Sequence, residues 1–209
     1  MTDKAAVFID GGYLQKVTEA FADTSKLSFS MLPRIDFRKL SDVLCPPSKC
    51  ERFRTYYYDC PPYQGSPPTD DEKRRVASRE RFLHALNELP RFEVRLGRLN
   101  KITLPDGSAD YRQKGVDVSL SLDLAKLSWN HHIQRAILLT GDSDFVPAVK
   151  QAKEAGVTVE VYYCTNGECR IHDKLYQECD ERFEIDVDFI KMVKCGDYKR
   201  LNHPDQNKD

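Results

Sequence analysis

The stretch AILLTGDSDFVPAVKQAKEAGVTVEVYY, residues 136–163, decides the fold class. Residues 136–140 form a short, mostly apolar run, which is typical of a buried strand, and the turn Gly-Asp-Ser-Asp follows at 141–144. We expect a helix from there to about residue 155, a helix stop at Gly156 and a second strand over 157–163. A strand, a helix and a strand in this order predict a crossover unit with two parallel strands.

The rest of the chain continues this alternation of strands and helices. Short apolar or aromatic runs predict strands at 5–9, 53–58 and 92–99, with helices at 13–22, 70–89 and 116–128. Residues 100–113 contain Pro-Asp-Gly and indicate an exposed excursion. We therefore predict an α/β fold, a three-layer sandwich with a mostly parallel sheet. It occupies one domain over 1–194, and a polar tail at 195–209 is expected to be disordered.

Composition and charge exclude several classes of protein. The formal net charge of the 209 residues is −1, so a nucleic-acid partner would have to be held by a local patch of charge. Only five apolar residues precede Asp10, too few for the core of a signal peptide, and no apolar run approaches the roughly 18 residues of a membrane span. We therefore expect a cytoplasmic protein with no membrane partner and with free thiols at its seven cysteines.

Acidic residues follow two of the predicted strands. Asp10 comes after the run 5–9, and Asp142 and Asp144 come after the run 136–140. Because ligands bind outside the carboxyl ends of parallel strands, these carboxylates should lie close together, and a divalent cation would relieve their repulsion. Carboxylate oxygens without histidine or cysteine suit Mg²⁺ or Mn²⁺, which can assist hydrolysis of a phosphodiester. Helix capping is the alternative for Asp142, and it does not account for Asp10.

Two further acids lie on the predicted helix 116–128. Asp117 in its first turn is favoured by the helix dipole, so on its own it is more often a capping residue than a ligand. Asp123 follows six residues later, about 240° around the helix, so the two side chains cannot face one site. Asp123 is the weaker candidate.

Four stretches of the chain resemble the NYN domain family, including its LabA-like branch, within the PIN-like nuclease superfamily. They are VFIDGGYL (7–14), KGVDVSLSLDL (114–124), ILLTGDSDFVPAVKQAKEAGVTVEVY (137–162) and CDERFEIDVDFI (179–190). The resemblance implies a PIN-like, Rossmann-like fold and a metal-dependent endoribonuclease that uses Mg²⁺ or Mn²⁺. It implies that the catalytic metal ligands are Asp10, Asp117, Asp142 and Asp144. RNA is the implied substrate, and DNA stays open.

Contacts with the substrate are expected from two regions. Tyr13, Lys114 and Ser143 adjoin the predicted acids in sequence, and Tyr13 stands where many relatives carry asparagine. Arg74 and Arg75 belong to the basic helix 70–89, which could hold an RNA backbone through its positive charge. The alternative for that helix is a solvated face balanced by its own acids.

Other interpretations of the same residues stay open. A haloacid-dehalogenase-like phosphatase would share the sheet and the acidic turn, but its second aspartate is replaced here by Gly12. A non-catalytic RNA-binding or adaptor protein could retain the acidic site. The residues Cys164, Cys169, His172 and Cys179 raise the question of zinc, although they do not form two matched pairs. The oligomeric state is not determined, and a homodimer stays open.

Overall fold

The computed structural model describes residues 2–22, 33–103 and 109–195, and these form eight strands and seven α-helices. The strands are β1 (Asp3–Asp10), β2 (Cys50–Asp59), β3 (Phe92–Leu96), β4 (Arg98–Thr103), β5 (Ala109–Lys114), β6 (Arg135–Leu139), β7 (Thr158–Tyr163) and β8 (Glu181–Glu184). The helices are α1 (Gly11–Ala20), α2 (Phe37–Leu44), α3 (Asp70–Asn87), α4 (Val116–Trp129), α5 (Val146–Glu154), α6 (Asp173–Glu178) and α7 (Val187–Val193).

The central sheet has six strands in the order β3-β2-β1-β6-β7-β8, and every neighbouring pair is parallel. The strand order reverses between β1 and β6, since the chain runs outward to β2 and β3 on one side and to β7 and β8 on the other. Ile9 of β1 stands opposite Leu139 of β6, so the residues that follow both strands meet at one edge. Such a switch point is where open α/β sheets bind ligands.

Helices cover both faces of this sheet. On one face Ala6 and Phe8 of β1 share a core cluster with α4, α5 and α6. On the other face Ala5, Val7 and Ile9 share a core cluster with α1, α2, α3 and α7. Alternate residues of β1 therefore point into different clusters, as the pleat of a strand requires. The predicted three-layer sandwich with a mostly parallel sheet is confirmed.

The prediction for residues 92–113 differs from the structure. The expected strand 92–99 ends at Leu96, and the expected excursion is a two-stranded antiparallel hairpin of β4 and β5. Gly97 lies between β3 and β4. Only glycine fits at this position, because a Cβ atom there would lie 2.6 Å from Val116 Cγ2. The hairpin leaves the main sheet and returns the chain directly to α4.

Several short elements were not predicted. They are α2, α6, α7 and β8, each of four to eight residues. The predicted disordered tail falls, beyond Cys195, outside the described residues. Among the helices of the described ranges, none is both long and apolar enough to cross a bilayer.

Candidate active site

Asp10 lies where β1 ends and is the N-cap residue of α1. Its Oδ1 accepts a hydrogen bond from the Tyr13 backbone nitrogen at 3.1 Å, and its Oδ2 accepts one from Thr140 Oγ1 at 3.2 Å. Burial raises the pKa of Asp10 in spite of these bonds, and the negative charge of Asp142 raises it further. The residue after Asp10 is Gly11, and only glycine fits there because a Cβ atom would lie 2.6 Å from the Tyr57 hydroxyl.

Asp142 follows β6 at the same edge of the sheet. Its Oδ1 accepts a hydrogen bond of 2.9 Å from the Asp144 backbone nitrogen, which caps the short 3₁₀ turn Ser143–Phe145. Asp142 therefore does act as a cap, the alternative that its sequence position suggested. The cap occupies one of its two carboxylate oxygens. The side chain is otherwise exposed beside Asp10.

Asp117 brings a third carboxylate from the first turn of α4. The N-cap residue of α4 is Gly115, which has φ of +88° and makes no side-chain capping bond. Partial enclosure by the surrounding protein raises the pKa of Asp117, and the negative charges of Asp10, Asp142 and Asp144 raise it further. Acids from two other segments therefore act on Asp117, as like charges at close range do.

These acids line one open cleft of about 760 Å³. Its walls are formed by Asp10, Gly12, Tyr13, Lys16, Asp117, Gly141, Asp142, Ser143, Glu168, Arg170, Ile171, His172 and Asp173. Of the predicted site residues, Asp10, Tyr13, Asp117, Asp142 and Ser143 are brought together here. Asp144 does not line the cleft, but its charge acts on Asp117.

The predicted basic contacts lie away from the cleft walls. Arg74 and Arg75 are exposed on α3 and pair with Asp71 at 3.5 and 3.0 Å. Lys114 is the exposed last residue of β5, three positions before Asp117. Contact of these residues with a nucleic acid therefore stays a prediction.

Asp123 of α4 belongs to a separate polar group, which it forms with Tyr58 of β2 and Arg95 of β3. It accepts hydrogen bonds from the Tyr58 hydroxyl at 2.9 Å and from Arg95 Nε at 3.2 Å. Its carboxylate is thus neutralised inside the protein, and it stands apart from the cleft.

A second wall of the cleft was not predicted. It is the loop 164–173, which contributes Glu168, Arg170, His172 and Asp173. The loop follows β7, so the strand-end argument that located Asp10 and Asp142 applies equally to it.

Tyr13 joins this loop to the acidic side of the cleft. Its buried hydroxyl donates a hydrogen bond to the Cys169 carbonyl oxygen at 2.8 Å and accepts one from the Cys164 backbone nitrogen at 2.9 Å. Cys164 and Cys169 form a disulfide, so the expectation of free thiols is wrong for these two. Cys179 is buried in the cluster on the opposite face of the sheet, so these cysteines do not converge on one site.

The chemistry of the acids fits a hard divalent cation. Within residues 2–22, 33–103 and 109–195, no three His, Cys, Asp or Glu side chains converge closely enough to hold a metal ion by themselves. Mg²⁺ is commonly held by one or two carboxylates, with water and substrate phosphate as its other ligands. Repelling carboxylates at a cleft open to solvent supply that kind of donor set, whereas a structural zinc site would need four protein ligands.

Comparison with known proteins gives a family match across nearly the whole chain. The sequence model of the NYN domain matches residues 4–186. An uncharacterized protein of Methanocaldococcus jannaschii is 26% identical over 97 residues, which cover 45% of this chain and 40% of that protein. The matched region is thus less than half of that relative's length. No solved structure shows a significant match.

Proposed function

Because the chain belongs to the NYN domain family, a family of PIN-like nucleases, we propose that it is a metal-dependent endoribonuclease. One observation carries the proposal. Asp10, Asp117 and Asp142, from three separate segments of the chain, line one cleft, and the negative charge of Asp142 raises the pKa of both Asp10 and Asp117. Such a cluster of hard oxygen donors is what a divalent cation needs beside a phosphodiester.

The position of the cleft supports a ligand-binding role. It lies at the carboxyl edge of the sheet, between β1 and β6, where the strand order reverses. Three of its acids, Asp10, Asp117 and Asp142, take part in no ion pair between described side chains. Asp123, by contrast, is satisfied by Arg95.

Each acid has a distinct part in the proposed reaction. Asp10 and Asp142 are the main ligands of Mg²⁺ or Mn²⁺, and Asp117 and Asp144 complete or orient the site. The ion would neutralise charge on the phosphodiester and lower the pKa of an attacking water. Thr140 and the Tyr13 backbone nitrogen fix the direction in which Asp10 presents its carboxylate.

The same proposal assigns contacts with the RNA. Tyr13 and Ser143 line the cleft and would lie beside the scissile phosphate. Lys114, Arg74 and Arg75 would hold the strand further from the acids through its phosphates.

Incubation of the full chain with single-stranded and structured RNA and DNA tests this function. Each nucleic acid is presented with Mg²⁺, with Mn²⁺ and with excess chelator. We expect internal cleavage of RNA in at least one metal and none in the chelator. Full activity in chelator would contradict the metal mechanism. Binding of RNA without cleavage in either metal would favour the adaptor function instead.

A further inference from the structure

His172 is fixed beside the acids of the cleft by its own backbone. Its backbone nitrogen donates a hydrogen bond of 2.9 Å to the carbonyl oxygen of Gly141, the residue immediately before Asp142. The side chain is exposed and lines the cleft with Asp10 and Asp142. His172 therefore lies next to the turn that carries one of the proposed metal ligands, but belongs to the loop 164–173.

The state of the His172 ring follows from a second hydrogen bond. Nδ1 accepts a hydrogen bond of 3.2 Å from the Lys174 backbone nitrogen, at the start of α6. An accepting Nδ1 carries no proton, so the neutral ring holds its proton on Nε2. The bond to Lys174 leaves Nε2–H as the donor that a ligand in the cleft can use.

Donors as well as acids line the cleft near His172. Lys16 of α1 and Arg170 are cationic, and the guanidinium of Arg170 lies 3.4 Å from Asp173. A phosphate that approached Asp10 and Asp142 would be repelled by their charge, and Glu168 and Asp173 add to that negative charge. Hydrogen-bond donors in the same cleft reduce the repulsion, and His172 supplies one without an ion pair of its own among the described side chains.

We propose that His172 is a substrate-contacting residue that donates a hydrogen bond from Nε2 to a non-bridging phosphate oxygen of the nucleic acid in the cleft. The proposal rests on the proposed function, because it requires a phosphodiester strand at this site. It adds a contact that the acidic cluster does not provide. The bond from Lys174 orients the donor in advance, so little rotational freedom is lost when the strand binds.

Capping of α6 is the competing role for the same side chain. Two substitutions separate the roles. His172→Ser keeps a good N-cap acceptor and removes the ring donor from the cleft. His172→Gln has an amide N–H that reaches about as far as Nε2, but glutamine is a poor N-cap residue. His132→Ser is the matched control, because His132 is exposed at the opposite edge of the sheet, before β6.

The experiment measures affinity of the full chain for a single-stranded RNA oligonucleotide in chelator, the thermal midpoint, and KM and kcat in Mg²⁺ or Mn²⁺. For His172→Ser we expect an unchanged midpoint and a loss of affinity, with a matching rise in KM, of about 10-fold or more, the value of a hydrogen bond to a charged group. For His172→Gln we expect a lower midpoint and an affinity within about threefold of the original protein, since most of that bond is retained.

Any other pattern overturns the contact. If His172→Ser binds RNA like the original chain, then His172 acts as a cap only. If His172→Gln loses as much affinity as His172→Ser, then the loss does not come from the Nε2 donor, and the proposed contact is wrong. Failure of the proposed function looks different, because binding in chelator needs no turnover. A chain that binds RNA through His172 and never cleaves it retains the contact and refutes the nuclease. A chain that cleaves RNA equally well with Ser at 172 refutes the contact alone.

Discussion

Thr140 Oγ1 donates a hydrogen bond of 3.2 Å to Asp10 Oδ2, and this bond links the ends of β6 and β1. Thr140 is fully buried, so its hydroxyl is not hydrogen-bonded to bulk solvent. The second oxygen of Asp10 accepts from the Tyr13 backbone nitrogen. The carboxylate is thus held by two elements before any ligand arrives.

Replacement of Thr140 with valine tests this arrangement. Valine has nearly the same shape but no hydroxyl, so Asp10 would lose one of the bonds that orient it. We expect kcat/KM for RNA cleavage to fall about 10–100-fold, which is typical when a partner that orients a metal ligand is removed. Metal affinity, measured by titration of the thermal midpoint, should weaken in parallel.

Thr55→Val is the matched control for that substitution. Thr55 of β2 is also fully buried, but its hydroxyl donates a hydrogen bond to Ser41 Oγ of α2 at 3.2 Å and does not contact Asp10. The control should lose stability and keep its activity per folded molecule. Equal losses of kcat/KM in both variants would show that Thr140 acts only through stability.

The raised pKa of Asp10 makes a prediction about stability and pH. Burial is the main cause, with the charge of Asp142 in addition, so the folded protein binds a proton at Asp10 more readily than the unfolded chain does. The stability of the metal-free protein should therefore fall as pH rises from 3.8, the ordinary pKa, through the raised folded value. In Asp10→Asn there is no buried charge, so this loss of stability is absent, and asparagine can still cap α1.

We expect Asp10→Asn in chelator at neutral pH to unfold about 2–4 °C above the original protein, the shift that about 1 kcal/mol gives a domain of this size. The advantage should shrink as pH is lowered toward 3.8, because the Asp10 carboxyl of the folded protein becomes protonated at a higher pH than that of the unfolded chain. Asp188→Asn is the control of opposite sign, because a hydrogen bond from Lys191 and its charge lower the pKa of Asp188. A midpoint of Asp10→Asn below that of the original protein at neutral pH would contradict this account of the site.

Addition of metal should stabilise the folded chain by relieving the same repulsion. At a Mg²⁺ or Mn²⁺ concentration of about 100 times Kd, binding to the folded state contributes about 2.7 kcal/mol, or roughly 5–10 °C in the midpoint. The increase should vanish in Asp142→Asn and shrink at low pH, because protonated carboxyls bind cations poorly. If the midpoint does not respond to either ion up to millimolar concentration, the acids do not form a metal site.

Local patterns were enough to predict the centre of the fold. β1, β6 and β7 are apolar runs with clear ends, and α3 begins where Thr69 and Glu72 form a capping box. Asp10 and Asp142 could be expected at one edge because both follow parallel strands. Short elements such as α2 were missed, since its eight residues are fewer than the roughly 11–18 over which a helical period can be recognised in a sequence.

The limits of the site prediction have a physical origin. Whether Arg74 and Arg75 face the acids depends on how α3 packs on the sheet, and no local pattern encodes that packing. In the loop 164–173 the cysteines and His172 raise the question of zinc, and that pattern does not indicate that His172 and Arg170 line a cleft at the end of β7. The Tyr13 hydroxyl holds that loop through a hydrogen bond from Cys164, which lies 151 positions further along the chain. Sequence spacing cannot predict such a contact.

The most direct test of the central claim is the rate of RNA cleavage by Asp10→Asn and Asp142→Asn, with Asp188→Asn as the surface control and circular dichroism to verify the fold. Loss of a metal ligand removes several kcal/mol of transition-state stabilisation, so we predict a fall in kcat/KM of at least about 100-fold in both variants, with an unchanged spectrum. Asp188→Asn should cleave like the original chain. Cleavage at the original rate by a folded Asp10→Asn or Asp142→Asn protein would contradict the assignment of this cleft as the active site.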